Sequence, residues 1–371
     1  MRILVFSLAY LPFVGGAELA VKEITDRLPE HTFDLLTVNL DGKQQLVQQM
    51  GNVTVYRVGN GRRGKHAFPF IALRKAIELH RAHGYDIAWA IMANQAGLAA
   101  LWFKKKFPQV KFLLTLQEGD SLKKIWSRTW FMRPIYKKIY RRANEIQAIS
   151  NYLATRARKF GFQKLVHVIP NGVDLTYFGT TTEEKKRELR ATLALATEDA
   201  VVITTSRLVY KNGIDTLIVA MKEVSAKLLI IGSGKLETKL KLLTQELQLR
   251  DKVLFLGHVP HTELGGYLAI SDVFVRPSRS EGLGSSFLEA MAIGIPVIGT
   301  RVGGIPDFLS DGKTGLFCEV NNPKDLADNI TKILSNQELH HTLVQNGKTL
   351  VQERYMWDHI SVQMKQLFTK S

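Results

Sequence analysis

The run SRSEGLGSSFLEAMAIGIPVIGTRVGGIPDFL, from Ser278 to Leu309, holds two glutamates eight positions apart among several glycines. The carboxylates of Glu281 and Glu289 can accept hydrogen bonds from sugar and ribose hydroxyls. The residues between them that lead into a helical pattern are Gly282, Leu283, Gly284, Ser285 and Ser286. Because backbone N–H groups at a helix start can bind a phosphate, the run predicts a nucleotide-sugar site.

Glu289 also has a purely structural interpretation. Ser286 followed three residues later by Glu289 is a capping-box pattern, in which the glutamate only satisfies backbone donors at the helix start. Buried acids without partners are costly, so either both glutamates face solvent or both bind hydroxyls. The position of Glu281 on the strand side of the glycines favours the second interpretation.

Short apolar runs alternate with helical patterns in both halves of the chain, which is typical of βα units on a parallel sheet. The first half predicts strands at Ile3–Ser7, Phe33–Val38, Val53–Val58, Ile87–Ile91, Phe112–Thr115, Glu145–Ile149 and Val166–Ile169. The second predicts strands at Val201–Thr205, Leu228–Gly232, Val253–Leu256, Val273–Val275, Val297–Gly299 and Gly315–Phe317. A polar, strand-free stretch from about Gly172 to Glu198 lies between the two sets. The chain is therefore expected to be an α/β protein with two doubly wound, Rossmann-like domains.

The expected domains are residues 1–175 and residues 176–352, followed by a C-terminal helix within residues 353–371. In doubly wound sheets ligands lie beyond the carboxyl ends of the strands, so two facing domains would enclose a central cleft.

The composition and charge of the chain indicate its expected cellular location and the kind of partner it meets. The chain has 371 residues, enough for two domains, and a single cysteine, Cys318, so an internal disulfide is excluded and a reducing cytoplasm is the simplest location. Its net charge of +16 is uneven, because residues 1–175 hold 27 basic and 12 acidic side chains. Such asymmetry indicates that the first half meets an anionic partner, either a membrane surface or nucleic acid.

Candidate ligand contacts fall at predicted strand ends. Gly15 and Gly16 join the first strand to a helix, where missing side chains let a phosphate approach the backbone, although a tight turn without a ligand is equally compatible. Arg207 and Lys211 place two cations after the first strand of the second half, and together they could neutralise a diphosphate without a metal. His258 follows another strand and is a weaker donor-site candidate. No paired histidine spacing indicates a metal site.

The stretch KKIWSRTWFMRPIYKKIYRR, from Lys123 to Arg142, has eight basic residues, no acid and five aromatic residues. Aromatic rings with basic neighbours suit the headgroup level of an anionic membrane. A charged solvated face is the alternative, and RNA binding is a lesser one because no recognised RNA-binding motif is present. The expected membrane contacts are Lys123, Lys124, Trp126, Trp130, Lys137, Lys138, Arg141 and Arg142.

With these motifs the chain resembles family 4 of the retaining glycosyltransferases, which have the GT-B fold. The resemblance rests on GGAE at Gly15, AISNYLATRARKFG, VHVIPNGVD, SRLVYKNG, IIGSGKLE, LGHVPHTEL, the Glu281 run and ERYMWDHI. It implies that Arg207 and Lys211 hold the donor diphosphate, helped by backbone near Gly16 and residues 283–286. It further implies that Glu289 binds the ribose and Glu281 the transferred sugar of a UDP- or GDP-sugar, with no metal and no other cofactor.

The sequence departs from this family after the strand Phe112–Thr115. Many relatives carry a histidine there, whereas this chain has Gln117-Glu118-Gly119-Asp120. Gln117 can hydrogen-bond a sugar hydroxyl but cannot accept a proton. Glu118 and Asp120 are expected either to bind acceptor hydroxyls or to cap the next segment, and Asn171, in an Asn-Gly turn, is a further acceptor candidate.

The resulting prediction is a cytoplasmic, peripherally membrane-associated enzyme that moves a sugar from a nucleoside-diphosphate sugar to a hydroxyl of a lipid-linked or cell-envelope glycan. The anomeric configuration is expected to be retained by same-face attack, in which the leaving phosphate helps remove the acceptor proton. Glu281, Arg207 and Lys211 are the expected catalytic residues. The resemblance also implies that the first domain binds the acceptor, that the second binds the nucleotide-sugar donor, and that the C-terminal helix packs back toward the first domain. The alternatives are a nucleotide-sugar epimerase of the same architecture and a non-catalytic protein that binds sugar nucleotides or nucleic acid.

Overall fold

A computed structural model of the chain describes residues 1–13, 15–120, 133–178 and 181–370. It divides into two compact units, one formed by Met1–Asn171 with Trp357–Ser371 and the other by Gly172–Met356. The first boundary lies four residues before the expected one, because the backbone N–H of Val173 donates to Tyr355 at 2.7 Å and so ties this segment to the second unit.

The first unit contains an eight-stranded sheet with the order β3-β4-β2-β1-β5-β6-β7-β8, in which only β3 is antiparallel to its neighbour. The strands are β1 Arg2–Phe6, β2 Thr32–Asn39, β3 Val47–Met50, β4 Val53–Asn60, β5 Ile87–Ile91, β6 Lys111–Leu116, β7 Glu145–Ala148 and β8 Val166–Val168. The helices described in this unit are α1 Gly16–Asp26, α2 Gly61–His83, α3 Gln95–Lys106, α4 Arg133–Arg142, α5 Asn151–Lys159 and, from the end of the chain, α13 Trp357–Thr369.

Helices cover both faces of this sheet, because successive side chains of a strand point to opposite faces. Val5 of β1 belongs to a core cluster with residues of α1 and α13. The next residue, Phe6, points the other way and its ring lies 5.9 Å from that of Phe103 in α3. The apolar positions Trp357, Ile360 and Met364 of the last helix are buried in the first of these two cores. The C-terminal helix is thus an integral layer of the first unit.

The second unit contains a six-stranded, fully parallel sheet with the order β11-β10-β9-β12-β13-β14. Its strands are β9 Val201–Thr205, β10 Lys227–Ile231, β11 Val253–Gly257, β12 Val273–Arg276, β13 Val297–Thr300 and β14 Leu316–Cys318. Its described helices are α6 Glu183–Thr192, α7 Ile214–Ala220, α8 Glu237–Glu246, α9 Leu264–Ala269, α10 Ser285–Ile293, α11 Pro323–Ser335 and α12 Gln337–Arg354.

Both sheets have the strand arrangement of doubly wound folds, so the predicted α/β class is confirmed. The strand-free stretch between the two strand sets is more ordered than its polar composition indicates. It contains helix α6, which begins after Thr182, whose side chain accepts from the backbone N–H of Lys185 at 3.3 Å. In the parts of the chain that are described, no helix is long and apolar enough to cross a membrane.

Candidate active site

The sheet of the second unit has a topological switch point between β9 and β12. The chain moves from β9 to β10 and β11 on one side and then returns to β12 on the other side. Doubly wound folds bind ligands in the crevice beyond the carboxyl ends of the two strands at such a point. Arg207 follows β9 by two residues and Glu281 follows β12 by five. The fold therefore brings two residues that are 74 positions apart in the sequence to the same edge of the sheet.

Lys211 is held against the loop that carries Glu281. Its backbone carbonyl accepts hydrogen bonds from the N–H groups of Arg279 at 2.6 Å and Ser280 at 3.3 Å. Gly213 makes this close approach possible, because a Cβ there would lie 2.0 Å from the carbonyl oxygen of Pro277. Its φ of +69° is also a conformation that glycine adopts readily. The Lys211 turn and the Glu281 loop thus form one backbone-bonded structure.

Two further contacts fix this structure. The amide of Asn212 donates to the carbonyl of Arg207 at 2.7 Å, which joins the two cation-bearing residues through one turn. Arg279 donates two hydrogen bonds to the carboxylate of Asp215, at 2.9 and 2.8 Å, and so ties the loop to helix α7. Burial disfavours the charged form of Asp215, but the Arg279 hydrogen bonds and charge outweigh it and hold the pKa of this carboxyl below its usual value.

Glu281 is oriented by Arg276, a residue that the sequence interpretation did not select. Arg276 is buried at the end of β12, and its Nη2 donates to Glu281 Oε2 at 2.7 Å. The Nη1 of the same guanidinium donates to the hydroxyl of Ser286 at 2.7 Å, and the group lies 4.9 Å from the centre of the Phe287 ring. Arg276 therefore fixes both ends of the glycine-containing loop. The feature of the sequence that could have identified Arg276 is its charge, because the rest of the strand Val273–Arg276 is apolar.

The capping-box interpretation of Ser286 and Glu289 is wrong. Helix α10 begins at Ser285, and its N-cap is Gly284, which makes no side-chain cap and has a φ of +103°. The hydroxyl of Ser286 is instead engaged by Arg276. The first N–H groups of a helix have no partner within it and carry partial positive charge, so residues 284–286 present an anion-binding helix start.

Glu289 lies one turn into helix α10 and contacts a histidine. Its Oε1 is 3.3 Å from Nε2 of His261, and both side chains retain some exposure. His261 lies in the turn that precedes α9, three residues after the predicted site residue His258. His258 itself is exposed at the carboxyl end of β11, which is the edge strand two places from β9. The sequence could not distinguish the two histidines, because their contacts depend on how the turn folds back over α10.

The first unit gathers three of the predicted residues at its own sheet edge. Asn171 is buried, and its Nδ2 donates to Gln117 Oε1 at 3.1 Å and lies 3.5 Å from the carbonyl oxygen of Gly16. Gly15 is the N-cap of α1, and a Cβ at Gly16 would meet no atom of the described residues within 4 Å. Gln117 follows β6 and Gly16 follows β1, so both lie beyond the carboxyl ends of parallel strands.

Glu118 is directed into the protein. Its Oε1 accepts from the backbone N–H of Ala93 at 2.6 Å, and its Oε2 is buried with no hydrogen-bond partner among the described residues. Burial raises the pKa of Glu118, and the nearby charge of Arg156 only partly opposes this. Arg156 in turn donates to the backbone carbonyl of Asp120 at 2.9 Å. The geometry gives Glu118 a structural role in holding the loop after β6 to the segment after β5.

The predicted membrane contacts divide into two groups. Lys137, Lys138, Arg141 and Arg142 are exposed on α4. Lys123, Lys124, Trp126 and Trp130 lie outside the described residues. Across the described ranges, no three His, Cys, Asp or Glu side chains converge as candidate metal ligands.

Comparisons with known proteins agree with this architecture. Residues 14–177 match the family model described as Glycosyltransferase Family 4, and residues 185–350 match the one described as Glycosyl transferases group 1. The structure superposes on a sucrose-phosphate synthase from Thermosynechococcus elongatus with a TM-score of 0.87, at 24% identity over 99% of this chain and 98% of the other. It superposes on Anabaena HepE in complex with UDP-glucose with a TM-score of 0.85, at 21% identity over 100% and 99% of the two chains.

A relative in sequence is a GDP-mannose-dependent monoacylated alpha-(1-6)-phosphatidylinositol monomannoside mannosyltransferase of Corynebacterium glutamicum. It is 29% identical over 293 residues, which is 73% of this chain and 76% of the relative. The two doubly wound domains give the chain the GT-B fold. The two family matches together span most of the chain. The chain therefore belongs to glycosyltransferase family 4, and its second half matches the group 1 glycosyltransferases.

Proposed function

We propose that the protein is a retaining glycosyltransferase that moves a sugar from a nucleoside-diphosphate sugar to a hydroxyl of a lipid-linked or cell-envelope glycan. The observation that carries the proposal is the single backbone-bonded structure at the β9/β12 switch point. It combines Arg207, Lys211 and the anchored carboxylate of Glu281.

The donor is assigned to this edge of the second unit. Arg207 and Lys211 supply positive charge for the diphosphate, and the start of α10 adds backbone N–H groups. Glu281 contacts the transferred sugar and Glu289 the ribose hydroxyls. Because two cations and a helix start already offset the negative charge, the proposed reaction requires no metal. HepE has been solved with UDP-glucose, and the Corynebacterium relative is described as GDP-mannose-dependent, so a UDP- or GDP-sugar is proposed.

The reaction breaks the bond between the anomeric carbon and the diphosphate oxygen and forms one from that carbon to the acceptor oxygen. The acceptor proton passes to the departing phosphate on the same face, which retains the anomeric configuration. Arg207 and Lys211 stabilise the negative charge that develops on the leaving diphosphate. Glu281, held by Arg276 and by the backbone N–H of Gly282 at 2.8 Å, orients the sugar.

The acceptor is assigned to the carboxyl edge of the first unit, where Gly16, Gln117 and Asn171 converge. Amide groups at this edge can bind acceptor hydroxyls without exchanging a proton. A lipid-linked acceptor is supported by the basic first half of the chain and by the phosphatidylinositol-based acceptor in the description of the Corynebacterium relative.

A panel of UDP- and GDP-sugars, screened by thermal stabilisation of the full chain, tests donor binding first. A bound donor raises Tm with the logarithm of its saturation, and a hundredfold excess over Kd gives about 2.7 kcal/mol. Lys211→Ala is expected to abolish the shift, whereas the matched control Lys313→Ala, at an exposed lysine of the same unit, keeps it. If no nucleotide sugar stabilises the wild type, or if Lys211→Ala responds normally, the donor site is wrong.

The stabilising donor then serves in a turnover assay with cell-envelope lipid extract. Acceptor-dependent release of nucleoside diphosphate, with Glu281→Gln reduced at least about a hundredfold, is expected for a transferase. An epimerase would instead convert the donor into an isomeric nucleotide sugar without acceptor, and a pure binding protein would leave it unchanged. Early proton NMR of the sugar released by slow donor hydrolysis reports its anomeric configuration, and an inverted product would contradict the retaining mechanism.

A further inference from the structure

Three helices of the first unit carry a large net positive charge. Helices α2, α3 and α4 together contain fourteen lysines and arginines and one acid, Glu78, which is a net charge of +13. The whole chain has a net charge of +16. Glu78 is itself paired with Lys75 at 2.6 Å, so it attracts few external cations. These helices form one continuous layer, in which α3 packs against both α2 and α4.

The opposite side of the same sheet has a different charge. Helices α1 and α13, which pack together there, carry two basic and four acidic side chains in their combined sequences. A diffuse positive charge that served only solubility would not need to be confined to one side. The asymmetry therefore points to an anionic partner that faces α2, α3 and α4.

The same layer exposes apolar side chains among its cations. Phe70 and Ile71 on α2 are 68% and 37% exposed, and Ile135 on α4 is 38% exposed. The ring of Phe70 lies 5.0 Å from that of Trp102 on α3, which forms an aromatic pair at the surface. The exposed cations Lys105 and Lys106 follow Trp102, and Lys137 and Lys138 follow Ile135. We call this combination of exposed apolar and basic side chains on α2, α3 and α4 the basic face.

We propose that the basic face docks the protein on an anionic lipid bilayer, with Phe70, Ile71 and Trp102 entering the headgroup region. Cations attract the anionic headgroups, and aromatic and aliphatic side chains gain free energy by leaving water at the acyl boundary. A nucleic acid would satisfy the cations but would leave aliphatic side chains such as Ile71 and Ile135 exposed. The inference rests on the proposed function only in that docking brings a lipid-linked acceptor to the enzyme.

Sedimentation of the full chain with vesicles tests the proposal without catalysis. Vesicles of three parts phosphatidylglycerol to seven parts phosphatidylcholine are compared with pure phosphatidylcholine at about 0.1 M salt. The wild type is expected to sediment only with the anionic vesicles. The double variant Phe70→Ser, Ile71→Ser is expected to bind about tenfold more weakly, because most of the Phe70 ring is exposed in solution and becomes buried in the bilayer. Val362→Ser, at a 53% exposed valine on α13, is the matched apolar control and is expected to bind normally.

Charge reversal tests the electrostatic part. Each cation at an anionic surface contributes about fivefold in partitioning, so reversing four cations of the basic face is expected to abolish binding. The reversed residues are Lys105, Lys106, Lys137 and Lys138. The matched control reverses four exposed cations of the second unit, Lys185, Arg187, Lys239 and Lys313. An unchanged far-ultraviolet circular dichroism spectrum and a cooperative thermal transition confirm that each variant is folded.

The outcomes separate this proposal from the proposed function. A wild type that stays in the supernatant with anionic vesicles overturns the docking surface and leaves the donor assignment intact. Equal loss of binding in the basic-face and control reversals also overturns it, since binding would then follow net charge alone. If the Phe70→Ser, Ile71→Ser variant binds normally and a short single-stranded RNA displaces the vesicles, the face is a nucleic-acid site instead. Vesicle binding without donor stabilisation would contradict only the proposed function.

Discussion

Replacing Arg276 by methionine tests how the sugar contact is built. Arg276 is buried and donates to Glu281 Oε2 and to the Ser286 hydroxyl, both at 2.7 Å, so methionine removes both hydrogen bonds while keeping an apolar stem. A hydrogen bond to a charged group contributes about 1.5–3 kcal/mol. If this free energy orients Glu281 toward the sugar, the Kd of the nucleotide sugar rises between about tenfold and 150-fold.

The Kd of the bare nucleoside diphosphate provides the internal control. It depends on Arg207, Lys211, Glu289 and the backbone N–H groups at the start of α10. It is expected to change by less than about threefold, because Arg276 donates to the side-chain hydroxyl of Ser286 and the backbone N–H groups of this helix start keep their places in the helix. Calorimetric titration of both ligands into the wild type, Arg276→Met and the exposed control Arg301→Met measures the difference. The control is expected to match the wild type, because Arg301 is an exposed side chain whose ion pair with Asp311 is loose.

A double-mutant cycle with Glu281→Gln separates positioning from general loosening of the site. If Arg276 acts through Glu281, the effects of the two substitutions on the free energy of nucleotide-sugar binding are not additive. The expected coupling energy is about 1.5–3 kcal/mol. Additive effects, or equal loss of nucleotide-sugar and nucleoside-diphosphate binding, would refute the assigned role of Arg276.

Three further predictions follow from single contacts. Gly213→Ala should lower the free energy of unfolding by more than about 3 kcal/mol, because the new Cβ would meet Pro277 at 2.0 Å. Gly312→Ala, at a φ of +68° but with nothing within 4 Å, should cost only about 1 kcal/mol, and similar urea midpoints for the two variants would contradict the argument. Burial raises the pKa of Glu118, so the folded protein binds the proton of this carboxyl more tightly than the unfolded chain does. Protonated Glu118 therefore stabilises the fold at low pH, and this stabilisation is lost as the pH rises through the raised pKa. Glu118→Gln should therefore raise Tm at neutral pH and leave it unchanged below about pH 4, and a difference that does not vary with pH would exclude this explanation. His261→Ala should weaken nucleoside-diphosphate binding about fivefold by releasing Glu289, and unchanged binding would show that the 3.3 Å contact does not position the ribose carboxylate.

The elements of the fold were largely predictable from the sequence. Apolar runs bounded by glycine and polar residues located β9 at Val201–Thr205 as predicted and most other strands to within one or two residues. The short strand β3, Val47–Met50, was missed because it is a half-exposed edge strand with two central glutamines and carries no apolar pattern. The domain boundary was displaced because the backbone contact of Val173 with Tyr355 joins segments distant in sequence.

The candidate site was predictable where it depends on chain position and not where it depends on side-chain geometry. Strand ends placed Arg207 and Glu281 at one edge, since parallel strands present their carboxyl ends together. The guanidinium of Arg276 was missed because its partners, Glu281 and Ser286, are defined only once the loop has folded around Gly284. The same limit led to the incorrect capping-box interpretation and left the contact of His261 with Glu289 unpredicted.

The proposed donor site lies at the carboxyl edge of the second sheet, between β9 and β12. A crystal structure of the full chain soaked with the nucleotide sugar that raises Tm gives the most direct test of this site. We expect diphosphate oxygens within hydrogen-bond distance of Arg207, Lys211 and the backbone at the start of α10, and ribose hydroxyls on Glu289. A nucleotide bound elsewhere, with these side chains unchanged and uncontacted, would contradict it.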